Sequence, residues 1–154
     1  MRPEDIKIIA TGSSGNATYL TPYRTMIDCG VSKKDIGKDV FKNVSLILLT
    51  HRHSDHFNKR TIKAFGSQRP SVRFGCGEFL VPLLLDCGIS PQQIDGYEPD
   101  KEYNYGFLSL ETVTLTHDVP NIGYKLHLAK DKQNLIYATD TNNLNGITAK
   151  DYDY

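Results

Sequence analysis

Val44-Ser45-Leu46-Ile47-Leu48-Leu49-Thr50-His51-Arg52-His53-Ser54-Asp55-His56 (residues 44–56) is the stretch on which the fold turns. Its first half is strongly apolar, with polar residues only at its edges. That pattern fits a strand buried on both faces. Its second half packs three imidazoles and a carboxylate into six residues, and the whole chain has only five histidines. His51 and His53 are two apart, so in extended backbone both project from one face and can share a metal ion. Asp55 and His56 come where the chain must turn, and can swing toward a second ion. Imidazole and carboxylate donors suit zinc and similar first-row divalent ions. The competing reading is a solvated His-rich loop. The buried strand leading directly into the cluster weighs against it.

Two later positions extend the cluster. His117-Asp118 ends a long strand beginning at Phe107, and Asp140 follows the strand Leu135-Ile136-Tyr137-Ala138-Thr139. Both are polar groups where a strand meets a loop, the usual place for ligand-binding side chains. Alone, His117 would read as a surface histidine. Asp140 alone would read as a cap for the turn Thr139-Asp140-Thr141-Asn142. Beside His51–His56, both are read as metal ligands.

The remaining elements read as mixed α and β. Ile6–Ala10, Ala17–Leu20 and Arg24–Asp28 are expected strands, with the tight loop Gly12-Ser13-Ser14-Gly15-Asn16 between the first two. A short helix or loop is expected within Ser32–Phe41, with Ser32 able to cap it. A helix follows over Asn58–Phe65, with Asn58 as its cap, then a strand over Ser71–Phe74. The next helix, Glu78–Asp86, has Pro82 as a kink or first-turn marker and Gly88 as its left-handed stop. Ile94–Pro99 is turn-rich and can hold a short strand. Phe107–Thr116, Ile122–Leu128 and Asn134–Thr139 alternate as long strands, with Lys130–Gln133 as a hairpin turn. The five tyrosines Tyr97, Tyr103, Tyr105, Tyr124 and Tyr137 could stack on bases, but half-buried strand aromatics explain them better.

Length and composition bound the function. The chain has 154 residues, which suits one domain with a real core. Its 18 basic and 18 acidic residues give zero net charge, so no global basic field announces a nucleic-acid binder. Lys33, Lys34, Lys38, Lys42, Arg52, Lys59, Arg60 and Lys63 lean toward a local patch but read better as a solvated helix face. Cys29, Cys76 and Cys87 form no CxxC pair, which points to buried thiols in a reducing compartment. The N-terminus lacks a signal-peptide apolar region and no apolar run is long enough to span a bilayer. The expectation is a cytoplasmic protein with no membrane association.

With these residues in view, the sequence resembles the metallo-β-lactamase superfamily. The match is HxHxDH at 51–56, a lone later histidine at 117 and a later aspartate at 140. Gly12–Asn16 and Ile27-Asp28-Cys29-Gly30 are similar to a phosphodiesterase branch. That branch includes bacterial single-strand exonucleases and is similar to phage enzymes that degrade cyclic nucleotides. The resemblance implies an αβ/βα sandwich and two divalent metals, zinc first, with manganese or iron as alternatives. It implies that His51, His53 and His117 hold one metal, that Asp55 and His56 hold the other, and that Asp140 bridges them with a water or hydroxide between. Asp55, His117 and Asp140 are then the candidate catalytic residues, Asp55 orienting the nucleophile. No nucleotide-triphosphate cofactor site is expected, since the glycine-serine loop lacks the lysine of a P-loop.

Members of the superfamily continue beyond the aspartate with a second αβ half and a late histidine. Here no histidine follows His127, which reads as a surface residue. The expectation is therefore a single domain over 1–154, incomplete at its C-terminus. The leading function is a metal-dependent phosphodiesterase acting on a nucleic acid or a cyclic nucleotide. The alternatives are an inactive or partner-dependent fragment or binding module, and a lactamase- or thioester-type hydrolase. A homo-oligomer would cover apolar sheet surface left by the missing half.

Overall fold

The computed structural model describes residues 1–145, 147–148 and 150–154. The apolar run forms β4 (Leu46–Leu48), all three residues buried. It lies inside a six-stranded sheet in chain order: β1 (Ile6–Ala10), β2 (Ala17–Leu20), β3 (Thr25–Ile27), β4, β5 (Arg73–Gly77) and β6 (Ile94–Tyr97). The first three strands are antiparallel and β3 through β6 are parallel. Parallel neighbours need crossovers, and helices supply them. Helices α1 (Lys33–Ile36) and α2 (Lys38–Asn43) join β3 to β4. Helix α3 (Lys59–Gln68) joins β4 to β5, and α4 (Val81–Asp86) joins β5 to β6. A second, antiparallel sheet has the order β10-β9-β8-β7, from β7 (Tyr103–Asn104), β8 (Leu108–Leu115), β9 (Asn121–Leu128) and β10 (Gln133–Tyr137).

Two cores separate three layers. Met26, Ile47, Leu49 and Phe74 face the helices, meeting Ile36, Phe41, Ile62, Phe65 and Leu84. Ile27, Leu46 and Leu48 face the other way, meeting Leu108, Leu110, Tyr124, Leu126 and Leu128 of the second sheet. The period-two alternation of strand side chains makes β4 serve both cores. On β8 the inward set is Leu108, Leu110 and Thr112, while Glu111 faces solvent. Asp153 and Tyr154 run beside β10, with Ile136 N donating to Tyr154 O (3.0 Å) and Asp153 N to Asn134 O (2.8 Å).

Most expected elements are present, with instructive shifts. Strand β5 runs to Gly77 rather than stopping at Phe74. Glycine is required at position 75, since a Cβ there would stand 2.0 Å from the Tyr97 hydroxyl. The stretch Glu78–Asp86 is a 3-10 turn followed by α4, with Pro82 in the first helical turn, where its missing N–H costs nothing. The short strand β7 has no clear sequence signal. Tyr97 and Tyr124 are buried and His127 is exposed. The cysteines are all buried, and burial pushes the Cys76 thiol up to about 12. Among the described residues no helix is long and apolar enough to cross a membrane.

Asn58 caps α3 through its side-chain oxygen, which accepts from Thr61 N at 3.1 Å. Asn58→Ala should lower unfolding free energy by about 1 kcal/mol. Urea titration checks this, and an unchanged midpoint would show that the cap contributes nothing.

Candidate metal centre

The cluster lies where several strands end. Beyond β4 the chain passes through Thr50 into His51, and the loop to α3 carries His53, Asp55 and His56. The connection from β8 to β9 supplies His117, and the segment after β10 supplies Asp140. Backbone and side-chain bonds tie these last two together, Asn142 N donating to Thr116 O (2.9 Å) and Thr116 N to Thr141 Oγ1 (3.2 Å). Six residues drawn from three separate parts of the sequence thus meet. Donor atoms of His51, His53, His117 and Asp140 all lie within 4.8 Å of one another, and so do those of Asp55, His56 and Asp140. These are the six residues expected from the sequence, and Asp140 belongs to both groups.

The hydrogen-bond network sets the state of each ring. Asp28 is fully buried and, as a carboxylate, only accepts. It takes Thr50 N (2.9 Å), Thr50 Oγ1 (2.9 Å) and His56 Nδ1 (2.6 Å). The Thr50 hydroxyl proton is therefore committed to Asp28. Its oxygen must accept from His51 Nδ1, 2.9 Å away. That leaves His51 Nε2 as a bare lone pair, buried and without a hydrogen-bond partner among the described residues. It stands 3.2 Å from Asp140 Oδ2. His56 Nε2 likewise faces Asp140 Oδ2 at 2.8 Å, with its other nitrogen held by Asp28. Acceptors this close, in a ring of imidazoles whose centroids are 4.2–5.0 Å apart, are relieved by a shared proton or a metal ion, and the inward lone pair of His51 suits the metal. The residues fit a metal on this ground.

Electrostatics agree. Burial, with the neighbouring His56 ring, lowers His51 to about 4, so its lone pair is free at neutral pH. Burial alone would also lower His56. The hydrogen bond and charge of Asp28, with Asp140 and Asp55, outweigh it and raise His56. Burial raises the Asp28 carboxyl, against the donors from His56 and Thr50.

Three contributors were not singled out as site residues from sequence. Asp28 orients His56 directly and His51 through Thr50, the outer-shell role that fixes a ligand's tautomer. Its signal was available, since it too is a carboxylate at the end of a buried strand. For the Gly12–Asn16 loop a plain turn is the favoured sequence reading and a loop at the rim of the metal site, with Asn16 positioning its neighbours, the other; Asn16 does reach the site. Its amide nitrogen donates to Asp55 O at 3.0 Å and lies 3.3 Å from Asp55 Oδ2. Asp118, mostly exposed, stands at the mouth with Oδ1 3.1 Å from His117 Nε2. Asp28→Asn should weaken metal affinity by about 10- to 100-fold. A competition titration against a chelator measures it, and an unchanged affinity would remove Asp28 from this role.

No family model matches the chain. A protein described as exodeoxyribonuclease WalJ, from two strains of Streptococcus pneumoniae, is 24% identical over 149 residues, covering 87% of this chain and 53% of the relative. The chain thus spans about half the length of the curated relatives it matches. Human tRNase Z, short form, superposes with a TM-score of 0.72 at 15% identity, covering 92% of this chain and 70% of that one. The metallo-β-lactamase fold protein YhfI of Bacillus subtilis gives 0.67 at 14% identity, covering 87% and 61%. These likenesses share one architecture, that of the metallo-β-lactamase fold, and this chain has it.

Proposed function

Starting from the metallo-β-lactamase fold, we propose that this chain is a metal-dependent hydrolase of phosphodiesters, with a nucleic acid or cyclic nucleotide as substrate. The observation that carries the reading is the pair of donor groups sharing Asp140. His51, His53 and His117 would hold one divalent ion, Asp55 and His56 a second, and Asp140 both. Zinc suits three imidazoles and a carboxylate best, with manganese or iron as alternatives. Ions bound there would acidify a water and offset phosphate charge.

The chain's own residues supply the positioning. Burial keeps His51 neutral, and Asp28 and Thr50 hold it in the tautomer whose lone pair points inward. Asn16 holds the Asp55 loop by its carbonyl, so the Asp55 carboxylate is placed to orient an attacking water. Asp55, His117 and Asp140 are the groups assigned to contact the reacting atoms. The nucleic-acid substrate is supported by relatives whose names describe DNA and tRNA nucleases. Three buried free cysteines support a reducing, cytoplasmic setting.

The test is metal content per chain after purification without chelator, with turnover of a single-stranded oligonucleotide and a cyclic dinucleotide on the same sample. His53→Ala should lower metal content and cut turnover by about 100-fold or more. Full turnover in that variant would overturn the assignment. A second reading is a partner-dependent fragment. It is favoured by the second donor group, which has three residues against four in the first. One metal per chain and no turnover on either substrate would select it.

A further inference from the structure

We propose that the cleft beside His117 receives a nucleobase of the substrate, with the Phe79 ring as its stacking platform; this rests on the nucleic-acid reading above. The cleft has a volume of about 510 Å³, within the usual range of small-ligand sites, about 300–1,000 Å³. His117 and Asp118 form part of its lining, so it opens onto the metal centre. Among the described residues lining it there is no lysine or arginine. Beyond the His117 edge its charged lining residues are acidic, Glu78 and Asp118, which disfavours a phosphate there but not an uncharged aromatic ring.

Phe79 has the properties of a preformed platform. It is 38% exposed, where a phenylalanine would ordinarily be buried. Its ring nevertheless lies close against the backbone of Gly77, for a Cβ there would stand 2.4 Å from Phe79 Cε1 and 2.9 Å from Cδ1. Gly77 therefore makes room for the ring in this orientation. An aromatic already held in place loses little further freedom on stacking. The cleft wall also contains Asn121, only 2% exposed. Its amide nitrogen donates to Thr139 O (2.9 Å) and Asp140 O (3.2 Å), which fixes the side chain's orientation. Oδ1 is left buried with no partner among the described residues. A lone buried acceptor is unfavourable. Phe79 and Pro120 also border a neighbouring cleft lined by both Arg52 and Asp86.

The experiment compares binding of 2′-deoxyadenosine 5′-monophosphate and 2-deoxyribose 5-phosphate to the zinc-loaded chain by calorimetry. Oligonucleotide turnover is measured on the same preparation. The base-bearing ligand should bind about tenfold more tightly. Phe79→Leu keeps apolar bulk but not the flat π face, and should bring the preference close to one. Gly77→Ala, which forces the ring to move, should reduce it, and Phe79→Tyr should retain it. Phe107→Ala removes an equally exposed ring outside the cleft (38%) and should leave the preference unchanged. A wild-type chain without preference, or Phe79→Leu with the full preference, overturns the proposal. Base preference without turnover would instead sink the hydrolase reading and leave the pocket standing.

Discussion

Asp140→Asn is expected to strip the centre of metal while leaving the fold as stable as before. Asp140 Oδ2 is 3.2 Å from His51 Nε2 and 2.8 Å from His56 Nε2, so this single oxygen serves both halves of the cluster. An amide cannot supply the same charge, and it presents either a weaker acceptor or a donor to two ring nitrogens. Turnover should fall on the order of 10²- to 10³-fold, with metal content falling in parallel. The fold should tolerate the change for a backbone reason. Asp140 sits at φ +51°, in the left-handed region that asparagine adopts readily. Asn121 holds its carbonyl rather than its carboxylate. Thermal unfolding of the metal-free protein should therefore match wild type. Unchanged metal content would remove Asp140 from the bridging role, and a large drop in metal-free stability would make its role structural.

Gly30→Ala should be the most damaging glycine-to-alanine change among the described residues. Gly30 N donates to Asn16 O (2.9 Å), and next to it Cys29 pairs with the metal loop, Cys29 N donating to His56 O (3.0 Å) and Asn58 N to Cys29 O (2.7 Å). A Cβ at position 30 would lie 1.8 Å from Asp55 O and 2.7 Å from His56 N. Those are backbone atoms of the ligand loop, so no rotamer change can relieve the clash. Either the loop moves or the Gly12–Asn16 turn does, and both displace Asp55 and His56. The expected cost is about 3 kcal/mol, the upper part of the overpacking range, with loss of metal at the Asp55–His56 group. Chemical denaturation and metal analysis together check this. Gly77→Ala is the contrast, because there the close neighbour is a side chain that can turn away. If both alanines cost the same, the backbone argument is wrong.

The six candidate ligands were legible because metal chemistry restricts residue type and strand geometry restricts spacing. His51 and His53 alternate out of an apolar strand, and Asp140 follows another. The buried strand within residues 44–50 was legible for a similar reason, since the apolar run Leu46–Leu49 with polar residues only at its edges has few other uses. Glycine misled in β5. Gly75 and Gly77 look like strand breakers, yet Gly75 makes room for Tyr97 and Gly77 for Phe79. Gly12–Asn16 fits an ordinary turn as well as a loop at the rim of the metal site, and only the contact of Asn16 with Asp55, 39 positions away in sequence, decides for the second. Asp28 reads as a strand end followed by a turn, and nothing local says that a histidine 28 positions later will donate to it.

The sequence by itself determined the donor set, the strands that carry it and the alternation that gives β4 two buried faces. These follow from side-chain chemistry and from periods of a few residues, which are local properties of a chain. Only the tertiary structure decided that Asp28 is the shared acceptor behind His51 and His56, that Asn121 steadies the Asp140 segment, and that Phe79 stands exposed beside His117. Each of these depends on contacts between segments far apart in sequence. Such contacts are set by how two sheets and a helical layer exclude water together, and no short pattern encodes them.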